Sequence, residues 1–551
     1  MMDNNRRDNQ IPPQPQSPEE LAEDELVEKL ELPRWHSISL TISLMLTLFC
    51  VSLDTTVLAT AIPKITTQFH SLDDVAWYGS SYLFTTCAVQ LQFGKIYSLF
   101  TTKWVFIWSL FVFEIGSLLC AAAPNSVALI VGRSIAGLGC AGISLGSFVV
   151  MTQLVPLRYR PIYTSLLTSM HGIASVAGPL LGGVFTDFST WRWCFYINLP
   201  MGAIALACII AFMPVLPPAE RRDLNWKEIF QQLDPIGTVV LVPAVISLLL
   251  AIQWGGTKYA WDDGRIIALF VLSGVLTITF FTIQLWRKGK ATIPLSIAKD
   301  HNILGAIWFS VCVGCTLTVF TYYLPIWFQA VKGVSATKSG IMNLPMILGL
   351  VIVSLIAGAL TSWIGYYTPL LIVSAIITPV GAGMLTTLEV DSGIGYWFGY
   401  QVLMVVGLGI GVQTVMLVPQ VTVPMKDMPI ATTLLIFGQT LAGAIFLPVS
   451  QSVFQNQLVS NLHRYAPKAN SSDIIAGGVT ELRRIVSSEQ LPSVLKAYNN
   501  ALTQAFYVAV AMSSLSFFGC VWLDWISLKS PKNAAELSLP DTPTIELSTQ
   551  R

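Results

Sequence analysis

Apolar runs dominate the chain and recur at a spacing suited to a lipid bilayer. A hydrocarbon core of about 30 Å takes about 20 apolar residues wound as a helix. Such runs lie near 37–62, 75–98, 104–123, 127–150, 162–185, 192–213, 234–252, 265–286, 303–327, 340–362, 367–388, 395–418, 431–454 and 502–525. The pattern predicts an all-α membrane protein with 14 transmembrane helices. Polar breaks group these helices as six, two and six. The linker Pro214–Gln232 holds prolines and the pair Arg221-Arg222, and it ends the first group; Trp286–Lys299 separates the middle pair from the last six.

The expected layout is therefore a tail over 1–36, an N-terminal six-helix bundle over 37–213, and a linker with helices 7 and 8 over 214–300. A C-terminal six-helix bundle over 301–526 follows, with an external loop at 456–500, then a second tail over 527–551. The first tail is Pro/Gln-rich and then acidic, a composition that favours disorder.

Composition agrees with a lipid-facing surface. Charged residues make up 11% of the 551 positions and apolar residues 53%, where soluble domains carry roughly 25% charge. Mean hydropathy is +0.64. Net charge is zero, and there is no basic run of the kind that binds nucleic acid. No GxxxxGK[ST] phosphate loop, HExxH zinc motif or dense His/Asp/Cys cluster occurs, which disfavours an ATP-driven pump or a membrane-embedded enzyme. Cys312 and Cys315 form a CxxC inside an apolar run, without a second pair nearby, and read as small helix residues. Neither a metal nor a cofactor is expected.

An even span count puts both tails on one side, and the basic residues say which. With the tails cytoplasmic, the short inner loops hold Lys95, Lys103, Arg158, Arg160, Arg221, Arg222, Lys227, Arg287, Lys288, Lys290, Lys299 and Lys426, twelve in all. The short outer loops hold Lys64, Arg192, Lys258, Arg265, Lys332 and Lys338, six in all. This orientation leaves 456–500 outside with the sequon Asn470-Ser471-Ser472, making Asn470 the candidate glycosylation site.

Candidate chemistry lies in the few ionisable residues within spans, where a charge costs on the order of 3 kcal/mol. Counted at 1.5 Å per residue from the outer helix ends, Asp54, Arg133 and Glu114 fall roughly 14, 12 and 15 Å deep. Three ionisable groups at one depth suggest a proton-coupling network lining a cavity, in which protonating Asp54 frees Arg133. The competing reading is a permanent ion pair that fixes helix packing. His171, Gln413, Gln439, Tyr322 and Tyr323 are candidate cavity residues; each also suits ordinary packing. The run Gly178-Pro179-Leu180-Leu181-Gly182-Gly183 combines a helix-bending proline with a small-residue face for close helix approach, and Gly132, Ala136 and Gly139 make a similar face.

Several of these segments resemble the fourteen-spanner drug:proton antiporter branch of the major facilitator superfamily. Leu53-Asp54-Thr55-Thr56-Val57, running on to Pro63, resembles the branch's first-helix signature. Gly132-Arg133-Ser134-Ile135-Ala136-Gly137-Leu138-Gly139 is similar to its proton-coupling motif. Gly178, Pro179, Gly182 and Gly183 match its antiporter motif. Trp191-Arg192-Trp193-Cys194-Phe195-Tyr196-Ile197-Asn198-Leu199-Pro200-Met201-Gly202 resembles the segment entering the sixth helix. One motif departs: in Gly94–Lys103 the usual acidic position is Ser98, and Leu99 and Thr101 replace Arg and Gly, so a gate held by that acid is in doubt.

The resemblance implies the major facilitator fold, two six-helix bundles plus an inserted helix pair. It also implies a fungal-type exporter of toxins, secondary metabolites or drugs in exchange for protons. The alternative is a proton-coupled importer or vacuolar carrier of siderophores or basic amino acids. A small-molecule substrate, protons and the bilayer are the expected partners, and the protein is expected to act as a monomer. The plasma membrane is the first expectation for location and the vacuolar membrane the second.

Overall fold

The computed structural model describes residues 34–528, apart from 72–73, 216–224, 257, 288–290, 468–485 and 488. These residues form helices, with two isolated β-bridges and no strand. In the first part of the chain lie α1 (Arg34–Thr56), α2 (Leu58–Phe69), α3 (Val75–Leu99), α4 (Thr102–Ala122), α5 (Ser126–Leu154), α6 (Arg160–Phe188), α7 (Trp193–Tyr196) and α8 (Asn198–Phe212). A middle part holds α9 (Trp226–Gln232), α10 (Pro235–Trp254), α11 (Gly264–Arg287) and α12 (Leu295–Lys299). The last part holds α13 (His301–Ala330), α14 (Ala336–Met342), α15 (Leu344–Ile364), α16 (Thr368–Leu385), α17 (Ile394–Val415), α18 (Val418–Thr422), α19 (Met428–Tyr465) and α20 (Leu491–Val521).

Twelve helices among the described residues are long and apolar enough to cross a membrane, against the fourteen expected. The two that fall short, α3 and α6, have 25 and 29 residues, so length does not exclude them. Their polar content makes them less apolar than the other twelve. Gln90, Gln92 and Lys95 interrupt α3, while Thr168, Ser169, His171 and Ser175 interrupt α6. The predicted 45-residue external loop is also corrected. α19 runs on to Tyr465 and α20 starts at Leu491 rather than 502, because the helical pattern continues beyond the apolar run at both places. Asn470 and both predicted tails to residue 33 and from 529 lie outside the described residues.

Close approach between helices depends on glycine. At the α4–α5 contact, a Cβ on Gly116 would collide with the Ala136 backbone, and one on Gly139 with the Phe113 backbone. The last part of the chain repeats the device: Gly381 lies against the Met404 backbone and Gly407 against that of Thr378, across α16 and α17. Between such contacts, apolar cores fill each group. Leu44, Phe113, Ile143 and Ala205 belong to one, and Phe320, Trp327, Met404 and Phe506 to another.

The two groups meet along two seams, α6 against α15 and α3 against α19. Helices α10 and α11 pack together beside the second seam, where Leu241, Val245 and Leu249 join Phe84, Leu91 and Ile430 in one cluster. The outer face of α11 exposes Val271, Val275, Ile278, Phe281 and Leu285, a composition that suits lipid. The pair is fastened at its polar end by Asp234, fully buried and in the left-handed region at φ +48°. Its carboxylate accepts from Gly237 N at 3.0 Å, Gln284 Nε2 at 2.7 Å, Arg287 Nη1 at 2.8 Å and Thr292 Oγ1 at 3.0 Å.

Overpacking a tight helix contact costs about 1–3 kcal/mol. Gly139→Val is therefore expected to lower the midpoint of thermal unfolding in detergent. Gly274→Ala, at a glycine with nothing within 4 Å of its missing Cβ, should leave the midpoint unchanged or slightly raised. Equal midpoints for the two variants would refute the packing account.

Candidate functional site

Asp54 and Arg133 form a salt bridge, with 0% and 1% of their side chains exposed. The guanidinium is held from several directions. Its Nε donates to Tyr78 O at 2.9 Å, and its plane lies over the Tyr82 ring, 4.4 Å from the centroid. Asn198 Nδ2 reaches Asp54 Oδ1 at 3.4 Å and Ser117 Oγ at 3.3 Å. A charge buried alone costs far more than a paired one, so α1, α3, α4, α5 and α8 are tied together through this pair. Asn198 and Ser117 escaped the reading of the sequence. Asn198 was visible only as a letter in the Trp191–Gly202 segment.

Glu114 lies one turn from Ser117 on α4, with its carboxyl against Gly202 of α8, one turn from Asn198. Its two oxygens are buried and have no hydrogen-bond partner among the described residues. It belongs to the same interface as Asn198 but makes no bond to Asp54.

A cavity of about 480 Å³ lies between the two groups of helices, lined from α1, α3, α5, α6, α13, α15, α17 and α19. The expected arrangement, with the ion pair lining this space, is corrected. Ser52, Thr55 and Thr56 of α1 face the cavity and Asp54 does not, because residues two apart on a helix point to opposite sides. Tyr82 forms the partition: it lines the cavity, and its ring carries Arg133.

Of the five candidate cavity residues, three line this space. His171 lines the space with Nδ1 at 2.5 Å from Ser52 Oγ, and Tyr322 and Gln439 line the opposite wall. The other two are not among its lining residues. Tyr323 is buried and donates its hydroxyl to Gln451 Oε1 at 2.9 Å. Gln413 is fully buried and spends its amide on Pro161 O at 2.7 Å, linking α17 to α6. One helical residue turns the side chain by 100°, which separates Tyr322 from Tyr323.

The glycine motif has a defined partner. On α6, a Cβ at Gly178 would strike Thr56 Oγ1 and one at Gly182 would strike Thr60 Oγ1, while Gly183 is unobstructed. Thr56 in turn donates to Ala174 O at 3.0 Å. Pro179 lies within α6, between the two contacts. The altered loop motif also has a contact: Ser98 Oγ donates to Lys426 O at 2.9 Å across the second seam, next to Gly94 packed on Ile430 and Thr433.

The fold and site define a multi-pass membrane protein built from two helical groups around a central cavity. Residues 44–447 match the Major Facilitator Superfamily, and the chain belongs to that family. It is 51% identical over 499 residues to an efflux pump of Penicillium rubens, roqT, covering 91% of this chain and 92% of that one. It is 50% identical over 495 residues to an MFS-type transporter of Aspergillus oryzae, astH, covering 90% and 88%. A Trichophyton rubrum protein named as an MFS-type efflux pump is 48% identical over 491 residues, covering 89% and 91%. Among solved structures, the proton:xylose symporter XylE shares the fold with a TM-score of 0.55 at 14% identity, covering 87% of this chain and 94% of that one.

Removing one partner of a buried ion pair costs about 3–5 kcal/mol, whereas removing both leaves no stranded charge. Asp54→Asn and Arg133→Leu are each expected to destabilise the protein in micelles, and the double variant by clearly less than their sum. A denaturation double-mutant cycle measures this, and simple additivity would count against the pair.

Proposed function

We propose that this protein is a secondary active transporter that exports small organic molecules, such as a toxin, secondary metabolite or drug, in exchange for protons. The carrying observation is a buried Asp54–Arg133 pair one aromatic ring away from a central cavity, in a chain half identical to fungal proteins named as efflux pumps. Import, or vacuolar carriage of siderophores or basic amino acids, has no such support.

In this reading Asp54 takes up the proton. Protonation removes the attraction that holds Arg133, and the freed guanidinium shifts against Tyr82 and so against the cavity wall. Glu114 serves as a second acid of the same network, reached past Ser117 and Asn198. Gly178, Pro179 and Gly182 let α6 bend and slide on α1 and α2. The proton enters from outside and leaves inside, and the cargo moves the other way.

The full architecture proposed has fourteen spans, with α3 and α6 as the two additional crossings. Bundles at 37–213 and 301–526 flank the pair within 214–300. Both termini lie in the cytoplasm, the protein works as a monomer, and the plasma membrane is its site. With this orientation, the Ser98–Lys426 and Gln413–Pro161 contacts close the cytoplasmic end.

The test uses inside-out membrane vesicles loaded with the full chain. Cargo uptake is expected to follow an imposed pH gradient in the native protein. In Asp54→Asn that dependence should vanish, while gradient-free exchange of labelled for unlabelled cargo continues. Normal gradient-driven uptake by Asp54→Asn would remove the residue from coupling. At the cellular level, deletion should raise internal metabolite content; a fall would favour import.

A further inference from the structure

The cavity lining is mainly apolar, and the polar side chains set in it are uncharged. Among the described residues that line it there is no Asp, Glu, Lys or Arg. The buried acid and base of this region are turned toward each other behind Tyr82. His171 contributes the imidazole on the wall, and its Nδ1 is engaged with Ser52. A charged ligand entering such a space would lose its hydration without gaining a counter-charge, which is strongly unfavourable. Hydroxyl and amide groups, by contrast, replace water at hydrogen-bonding positions of an uncharged solute.

The two walls differ in what they offer. On the α1 and α6 side the hydroxyl protons are already committed to backbone carbonyls. Thr55 donates to Ser52 O at 2.8 Å, Thr168 to Thr164 O at 3.1 Å, Ser169 to Leu166 O at 2.7 Å and Ser175 to His171 O at 2.8 Å. What these groups have left are oxygen lone pairs, so this wall accepts. On the α13 and α19 side, Thr440 spends its proton on Ile436 O at 2.9 Å, while Thr318, Thr321, Tyr322 and Gln439 line the cavity with no hydrogen bond to any described residue. Their O–H and N–H groups are unspent, so this wall can donate.

We infer that the cavity takes an uncharged organic ligand, largely apolar and bearing hydroxyl and carbonyl or ether oxygens. Its hydroxyl groups lie against the α1/α6 wall, and its carbonyl or ether oxygens lie against the α13/α19 wall. This deepens the export reading by naming the cargo class. It separates the roles of the two polar regions: the ion pair carries charge changes, and the cavity recognises a neutral molecule. Basic amino acids, lipophilic cations and anionic metal chelates are outside the class.

The experiment measures binding to the purified full chain in lipid nanodiscs at pH 7.5, without a gradient, by ligand-dependent shift of the unfolding midpoint. Three coumarin probes are used: 4-methylumbelliferyl glucoside is neutral, 4-methylumbelliferyl glucuronide differs from it only by a carboxylate in place of the CH₂OH group, and the lysine amide of 7-amino-4-methylcoumarin carries ammonium in place of the sugar. The neutral probe is expected to bind at least about tenfold tighter than either charged one. Gln439→Leu and Thr321→Val, each checked for an unchanged midpoint without ligand, should weaken the neutral probe by about three- to tenfold. Equal or tighter binding of a charged probe overturns the inference, as does a series without any preference or retention of full affinity by both variants. Because no gradient is applied, these outcomes are independent of whether protons drive transport.

Discussion

The buried Asp54–Arg133 pair is the constraint around which the first helical group is arranged. Neither group is tolerable alone in hydrocarbon, and each is satisfied by parts of other helices: the Tyr78 carbonyl, the Tyr82 ring and the Asn198 amide. Five helices are thereby held in one register by polar contacts that lipid cannot replace. Apolar packing in a membrane gives little directional force between helices, so such a point of fixed geometry matters more here than in water.

Around that point the protein uses small residues to bring backbones together. The α4–α5 and α16–α17 contacts solve the same problem with the same device, glycine against backbone, in the two parts of the chain. Internal repetition of this sort is a feature of transporters built from related halves around a central site. The seams between the groups use that glycine device too, with Gly94 against Ile430 and Gly358 against Pro161, and add polar contacts. They carry hydrogen bonds from side chains to backbone carbonyls, Ser98 to Lys426 and Gln413 to Pro161, contacts that can be exchanged for water.

Much of this was legible in the sequence, for physical reasons. Apolar runs long enough for a bilayer have few alternatives to helix, so the predicted segments are helical, although 37–62, 192–213 and 340–362 are each divided between two helices. Intramembrane charges are costly enough that Asp54 and Arg133 had to meet a partner, and they met each other. What could not be read was direction. Asp54 lies two residues from Ser52 and two from Thr56, and only the packed structure tells which side is cavity. Gln413 and Tyr323 were misplaced for that reason. The apolar signal is weakest in α3 and α6, whose polar residues Gln90, Thr168, Ser169, His171 and Ser175 line the cavity. Asn198 gave little signal, because an amide two residues before a proline looks like a helix start until Asp54 is seen beside it.

The Asp234 cluster bears on how the molecule can move. Thr292 is tied back to the beginning of α10, so the free lead into α13 shrinks to residues 293–300, five of which are coiled as α12. At 1.5 Å per helical residue and about 3.5 Å per extended one, that lead reaches roughly 18 Å. Helices α10 and α11 are thus kept on a short leash to the second group. If the two groups rock against each other, the inserted pair travels as a passenger of the second, and the sliding surface is its contact with α3.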